Sequence, residues 1–187
     1  MALPPLTIRP PHIVHASCIA NCCFHSGDQG SNHTTFSTDN KPTVRVYCKS
    51  LLRYSLTIHG GKVMLAPTST SDPYQHWIKE EKFKSITDEK GHSSFALINK
   101  ATGQAMKHSI GPAYPVQLIK YDPDKLDKSV LWTRGITRVE GYTSIRSVDN
   151  YHLNLDAYDS TKNLERTEIH QYGWNGGSNQ LWNLSSY

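Results

Sequence analysis

The sequence predicts an all-β body built from three repeats. Three observations carry that expectation. Alternating apolar and polar runs recur from residue 43 onward, short Gly, Asn or Asp turns separate them in pairs, and Trp77, Trp132 and Trp182 close the successive stretches. Strict alternation marks a half-buried strand, and no segment of about a dozen residues holds a clean helical period.

The elements follow in order. Residues 1–41 form a separate compositional zone, with Pro4, Pro5, Pro10 and Pro11 near its start and the polar tract Ser26-Gly27-Asp28-Gln29-Gly30-Ser31-Asn32 near its end. Such a zone reads as a short, partly ordered N-terminal arm with a linker over about residues 26–41. Val44 to Cys48 then alternates. Ser55 to Ile58 and Lys62 to Leu65 flank His59-Gly60-Gly61, a hairpin signature. Phe95 to Asn99 and Gln104 to His108 flank a second turn, and Tyr142 to Arg146 and His152 to Asp156 flank a third. The most helix-like piece is Tyr74 to Phe83, and it is short.

Each hairpin is followed by a further run, such as Val116 to Ile119 or Glu168 to Tyr172, and then by a tryptophan. A unit of four strands ending on a buried tryptophan cannot close a core alone. Three units around a pseudo-threefold axis can, and a closed barrel leaves few free strand edges. The expectation is therefore a β-trefoil over residues 42–187, with repeats at about 42–83, 84–137 and 138–187.

Composition excludes several classes. Apolar residues make up 37% and charged residues 19%, so the chain is polar and loop-rich without the charge excess of a disordered one. The net charge of +4 is scattered, with no basic stripe interleaved with aromatics, which argues against nucleic acid as partner. No apolar run is long enough to cross a membrane as a helix. The N-terminus lacks the apolar stretch of a secretory signal, which points to the cytoplasm and nucleus. Hydrolase, zinc-protease, phosphate-loop and dinucleotide motifs are missing, so neither an enzyme nor a cofactor is expected. Asp122, Asp124 and Asp127 read as a solvent loop rather than as paired catalytic carboxylates.

Cysteines divide the chain. Cys18, Cys22 and Cys23 crowd together in the arm, Cys48 stands alone, and none follows. Vicinal cysteines fit one tetrahedral ion poorly and no second ligand pair follows, so no metal site is expected, even with His12, His15 and His25 nearby. Arm thiols are instead candidates for an intermolecular disulfide between two chains.

The Gln-x-Trp elements Gln75-His76-Trp77 and Gln180-Leu181-Trp182 resemble the closing motif of ricin-B-like trefoil lectins. Longer strings narrow the resemblance. Pro42 to Cys48, Asp72 to Trp77, Ser94 to Ala105, Pro115 to Leu118, Ser129 to Trp132 and Asn179 to Trp182 are similar to the Euonymus-lectin family of plants. The resemblance covers residues 42–187 and says nothing of the arm. It implies non-catalytic carbohydrate binding, with galactosides and mannose-containing N-glycans as the ligand classes.

A neutral sugar needs an aromatic ring against its C–H face, a carboxylate that accepts from hydroxyls, and amides that donate and accept. Only the third unit offers all three. Asp156 ends a strand, His170 and Tyr172 alternate on the next, and Asn179 and Gln180 follow a turn that contains Trp174. In ricin-type sites the resemblance implies the same order. Asp156 is then the hydroxyl acceptor, Tyr172 the stacking platform and Asn179 a second hydroxyl partner. Gln180 contacts the sugar or orients Asp156, His170 fills a polar slot, and Trp174 is a wall or second platform. The first two units are expected to be silent, because Lys62 to Leu65 and Gln104 to His108 offer no carboxylate and Val130 replaces the glutamine. One weak site per chain gains avidity from a second chain, so a homodimer formed through the arm is expected. The rival readings are mannose or N-glycan binding at the same site and a sugar-independent protein-interaction module.

Overall fold

The computed structural model describes residues 35–139, 141–158 and 167–187. Cys18, Cys22 and Cys23, with the disulfide and dimer expectations placed on the arm, lie outside the described residues. The described residues hold twelve strands: β1 Val44–Cys48, β2 Tyr54–His59, β3 Lys62–Pro67, β4 Trp77–Glu80, β5 Ser94–Asn99, β6 Gln104–Lys107, β7 Gln117–Lys120, β8 Trp132–Val139, β9 Tyr142–Ser147, β10 Leu153–Ala157, β11 Ile169–Gly173 and β12 Trp182–Ser186.

Six of them close on themselves. β1 pairs β4, β4 pairs β5, β5 pairs β8, β8 pairs β9, β9 pairs β12, and β12 returns to β1, all antiparallel. That ring is a barrel, and closure removes the edges an open sheet would expose. The other six form the hairpins β2–β3, β6–β7 and β10–β11. The result is the β-trefoil that the sequence predicts.

The three tryptophans are fully buried, and each indole N–H finds the same kind of partner. Trp77 Nε1 donates to the Leu56 carbonyl oxygen at 2.9 Å, Trp132 to Met106 at 2.9 Å and Trp182 to Leu155 at 2.8 Å. A buried indole needs such an acceptor. These bonds also fix the equivalences between repeats: Leu56, Met106 and Leu155 occupy one position, and Thr57, Lys107 and Asp156 the next. A short 3-10 turn precedes each tryptophan, at Pro73–Gln75, Lys128–Val130 and Ser178–Gln180. One cluster joins Leu56, Leu65, Met106, Leu155, Ile169 and the three tryptophans as the main core.

Three expectations change. The hairpin around Gly60 and Gly61 is β2–β3, so its counterparts are β6–β7 and β10–β11, not the pairs 95–99/104–108 and 142–146/152–156. The first expected hairpin joins two cap strands, whereas the other two each join a barrel strand to a cap strand, so the three are not equivalent. His59 faces Lys62 across two residues with positive φ, 56° and 75°, which is the geometry a two-residue turn wants and glycine supplies. The helix-like stretch from Tyr74 is one 3-10 turn, with Pro73 at its start and Asp72 capping it, followed by β4. Pairing of Trp77, Ile78, Lys79 and Glu80 with β5 outweighs the local helical pattern. Finally, the body begins before residue 42. Phe36 packs edge-on against Tyr121, with centroids 4.8 Å apart, and Lys41 pairs with Glu80 at 2.7 Å.

Candidate functional site

The third-repeat hairpin assembles most of the expected residues. Asp156 lies directly across from His170, and Asn154 across from Tyr172, so these four side chains share one face of β10–β11 while Leu155, Ala157 and Ile169 enter the core on the other. The turn before β12 supplies the rest. Asn179 Nδ2 donates to Asp156 Oδ1 and Gln180 Nε2 to Asp156 Oδ2, both at 2.8 Å. Gly177 makes this approach possible: a Cβ there would collide with Asn179 Oδ1.

Gln180 resolves into an orienting residue. It is fully buried, accepts from Asn175 N–H and donates to the Gly173 carbonyl oxygen, both at 2.9 Å. Gln75 does the same in the first repeat, accepting from Ser69 N–H at 2.9 Å and donating to the Pro67 carbonyl oxygen at 3.0 Å. The bond to Asp156 is what the third repeat adds. Val130 fills the same position in the second repeat, where no such loop clamp exists.

Asp156 is only 3% exposed. Burial pushes its carboxyl above the ordinary 3.8, against the pull of Gln180, Asn179 and the nearby His170. Each oxygen has one amide donor, and a carboxylate offers about four acceptor sites, so lone pairs remain for a ligand's hydroxyls. At the equivalent positions stand Thr57 and Lys107. The fold therefore has no need of a carboxylate here, and the first two repeats lack this acceptor.

His170 is held rather than open. Its Nδ1 lies 3.1 Å from the Ala113 carbonyl oxygen and its Nε2 3.4 Å from Glu168 Oε2. Glu168 in turn bonds Lys62 at 3.0 Å. Burial alone would raise the Glu168 carboxyl, but Lys62 and His170 together hold it below its ordinary value. Above His170 lies Tyr158, a residue the sequence reading overlooked. Its ring stacks on the imidazole at 4.5 Å and is parallel to that of Tyr172, 5.9 Å away. The signal was its position two residues beyond Asp156, on the same face. Tyr172 is half-buried. Trp174 is 40% exposed and lies past the strand end, where it joins Tyr151, His152, Asn154 and Arg146 around a separate cleft.

A wider cleft of about 700 Å³ occupies the equivalent place in the first repeat. There Met64 stands for His170, Ala66 for Tyr172 and Tyr74 for Asn179. The imidazole and phenol of the third repeat are thus replaced by side chains without rings, and Thr57 replaces the strand carboxylate, although Asp72 from the turn lines the cleft. Asp127 caps its 3-10 turn by accepting from Ser129 N–H at 2.9 Å, and the described residues contain no cluster suited to a metal ion.

No family model matches the chain. Relatives do. It is 52% identical over 149 residues to the Ricin B-like lectin EULS3 of Arabidopsis thaliana, covering 77% of this chain and 47% of that protein. It is 45% identical over 152 residues to the Ricin B-like lectin R40G3 of Oryza sativa subsp. japonica, covering 79% of this chain and 74% of that one. The chain thus spans about half the length of the Arabidopsis relative and about three-quarters of the rice one. Among solved structures, a Macrolepiota procera ricin B-like lectin in complex with lactose aligns with a TM-score of 0.55 at 16% identity, covering 76% of this chain and 94% of that one, a likeness of fold. With the trefoil in place and identity at this level across most of the rice protein, the chain belongs to the ricin-B-like lectin family.

Proposed function

We propose that the chain is a non-catalytic, carbohydrate-binding lectin of the Euonymus type that holds a terminal galactoside at the third-repeat hairpin. The observation that carries this reading is Asp156, a buried carboxylate held by two amide donors beside an aromatic row, at a position where the other repeats manage with Thr57 and Lys107. Keeping an ionised group there costs stability, since burial disfavours the charge. A hydroxyl-bearing ligand offers the missing donors. In this reading Asp156 accepts from two hydroxyls, Asn179 exchanges a hydrogen bond with one of them, and Tyr172 stacks against the C–H face of the ring. Gln180 and His170 hold these groups in place.

A galactoside is the first choice, because the family resemblance names it and the lactose-bound Macrolepiota lectin shares the fold. Mannose-containing N-glycans are the alternative at the same residues. Two chains joined through the N-terminal arm would supply the avidity that one shallow site lacks. The test is a glycan-array screen of the full chain beside Asp156→Ala. Binding to terminal galactosides that the variant loses is the expected result. A signal the variant retains, or none at all, moves the site elsewhere and favours a protein-interaction module.

A further inference from the structure

The face that carries Asp156 does not end at β10. Arg146 on β9 pairs across to Asn154, and Asn154 pairs across to Tyr172. Directly paired residues share a face, so Arg146, Asn154 and Tyr172 form one lateral row, about 10 Å from end to end over two strand spacings. Ser144, two residues before Arg146, joins the same side. Beyond this row opens a cleft of about 380 Å³ lined by Ser144, Arg146, Tyr151, His152, Asn154 and Trp174. That volume lies within the range of small-ligand sites.

Its chemistry suits a polyhydroxylated ring. The rings of Tyr151 and His152 lie 4.0 Å apart and form one wall, and Trp174 forms another. Arg146 crosses the floor, its guanidinium 5.6 Å from the Tyr151 ring. Nη2 is committed, donating to Asp88 Oδ2 at 2.8 Å and to His92 Nδ1 at 3.1 Å, whereas the buried Nε has no partner. The guanidinium fits because residue 135 is glycine: a Cβ there would lie 3.4 Å from its carbon and would collide with Ser144 Oγ. Among the described residues no carboxylate lines this cleft, so they supply no counterpart there of the acceptor at Asp156. It offers rings for a C–H face, with an amide, a hydroxyl and a guanidinium for the oxygens around it.

We infer that this cleft is a second sugar subsite, which takes the glycan residue next to the terminal sugar held at Asp156. The inference rests on the reading of Asp156 as the terminal subsite. Trp174, 40% exposed and lining the cleft, then serves this second subsite. Binding at the cleft adds affinity for an oligosaccharide over its terminal monosaccharide and leaves the monosaccharide unaffected.

The test compares galactose with lactose, and mannose with the branched trimannoside, by titration calorimetry on the full chain. Wild-type protein should bind the longer member of its preferred pair about tenfold tighter. In Tyr151→Ala/His152→Ala that ratio should fall to about one, with monosaccharide affinity retained. Asp156→Asn should weaken both members together. A wild-type ratio near one, or a ratio that survives the double substitution, overturns the inference. Binding that survives Asp156→Asn but falls in the double variant overturns the reading of Asp156 and leaves the cleft as the sugar site. No binding to any of the four probes overturns both.

Discussion

Gln75 and Gln180 allow one contact to be isolated inside a single molecule. Both are buried, both clamp the loop ahead of their 3-10 turn through two neutral hydrogen bonds, and only Gln180 also donates to a carboxylate. Valine is the natural substitute, because Val130 already fills the equivalent site. Gln75→Val should cost about 1–3 kcal/mol, from two neutral bonds and the backbone groups they leave unpaired. Gln180→Val loses the same kind of pair and a charge-assisted bond to Asp156 Oδ2, which adds about 1.5–3 kcal/mol. Urea unfolding of both variants at neutral pH measures the difference. The pH dependence checks its origin. An ionised Asp156 needs the donor and a protonated one does not, so the gap between the variants should narrow as the pH falls through the raised pKa of Asp156. Equal costs for the two variants, or a gap that stays constant with pH, would refute this account of Gln180.

Further outcomes follow from the same geometry. Trp182→Phe removes the indole donor and leaves the buried Leu155 carbonyl unpaired, so unfolding free energy should drop by about 1–3 kcal/mol, read by urea denaturation. Sugar binding should fall on acidification with a midpoint above the ordinary aspartate value of 3.8, because the acceptor is then protonated; titration across pH 3–6 would show it. The stability contribution of Asp156 runs the other way, since protonation relieves the penalty of a buried charge and a raised pKa favours the fold as pH falls. His108 behaves oppositely. Burial lowers its pKa below 6.5 despite its bond to the Leu131 carbonyl oxygen and the charges of Asp149 and Asp127. Its contribution is complete above 6.5 and is lost as the pH drops from there toward the lowered value, by at most about 1.4 kcal/mol per pH unit. His108→Gln should flatten that part of the thermal-stability profile. Removing residues 1–34, which spares Phe36 and Lys41, should preserve binding in solution, abolish agglutination and halve the mass on size exclusion.

Much of the fold was legible because its signals are local. Alternation located strands, and the three tryptophans carried the period, since burial of an indole beside a backbone acceptor recurs once per repeat. The equivalence of the three hairpins was not legible in the same way. Alternation cannot distinguish a barrel strand from a cap strand, and the Gly60-Gly61 turn is a stronger hairpin signal than the glycine-free link from Lys49 to Arg53. At the site, Asp156, His170, Asn179 and Gln180 converge as their order suggested. Trp174 lines the neighbouring cleft, because Gly173 ends β11 and sequence proximity beyond a strand end fixes no direction. Tyr158 escaped notice for the converse reason: alternation continues one residue past β10, where the strand itself has stopped.

Barrel closure has a consequence for how the protein is made. The first strand finds its longest partner in the last: β1 and β12 pair from Val44 against Ser186 to Cys48 against Trp182. These residues are separated by most of the chain, and loop-closure entropy makes such pairings slow. On the ribosome, β1 must wait for β12 to emerge before the two can pair. Two finished repeats therefore hold an open seam, and β12 acts as the latch that shuts it. Loss of β12 would open the barrel and leave β1 and β9 each without one of their partners, and translation that stops short of β12 would deliver a chain prone to aggregate rather than a smaller lectin.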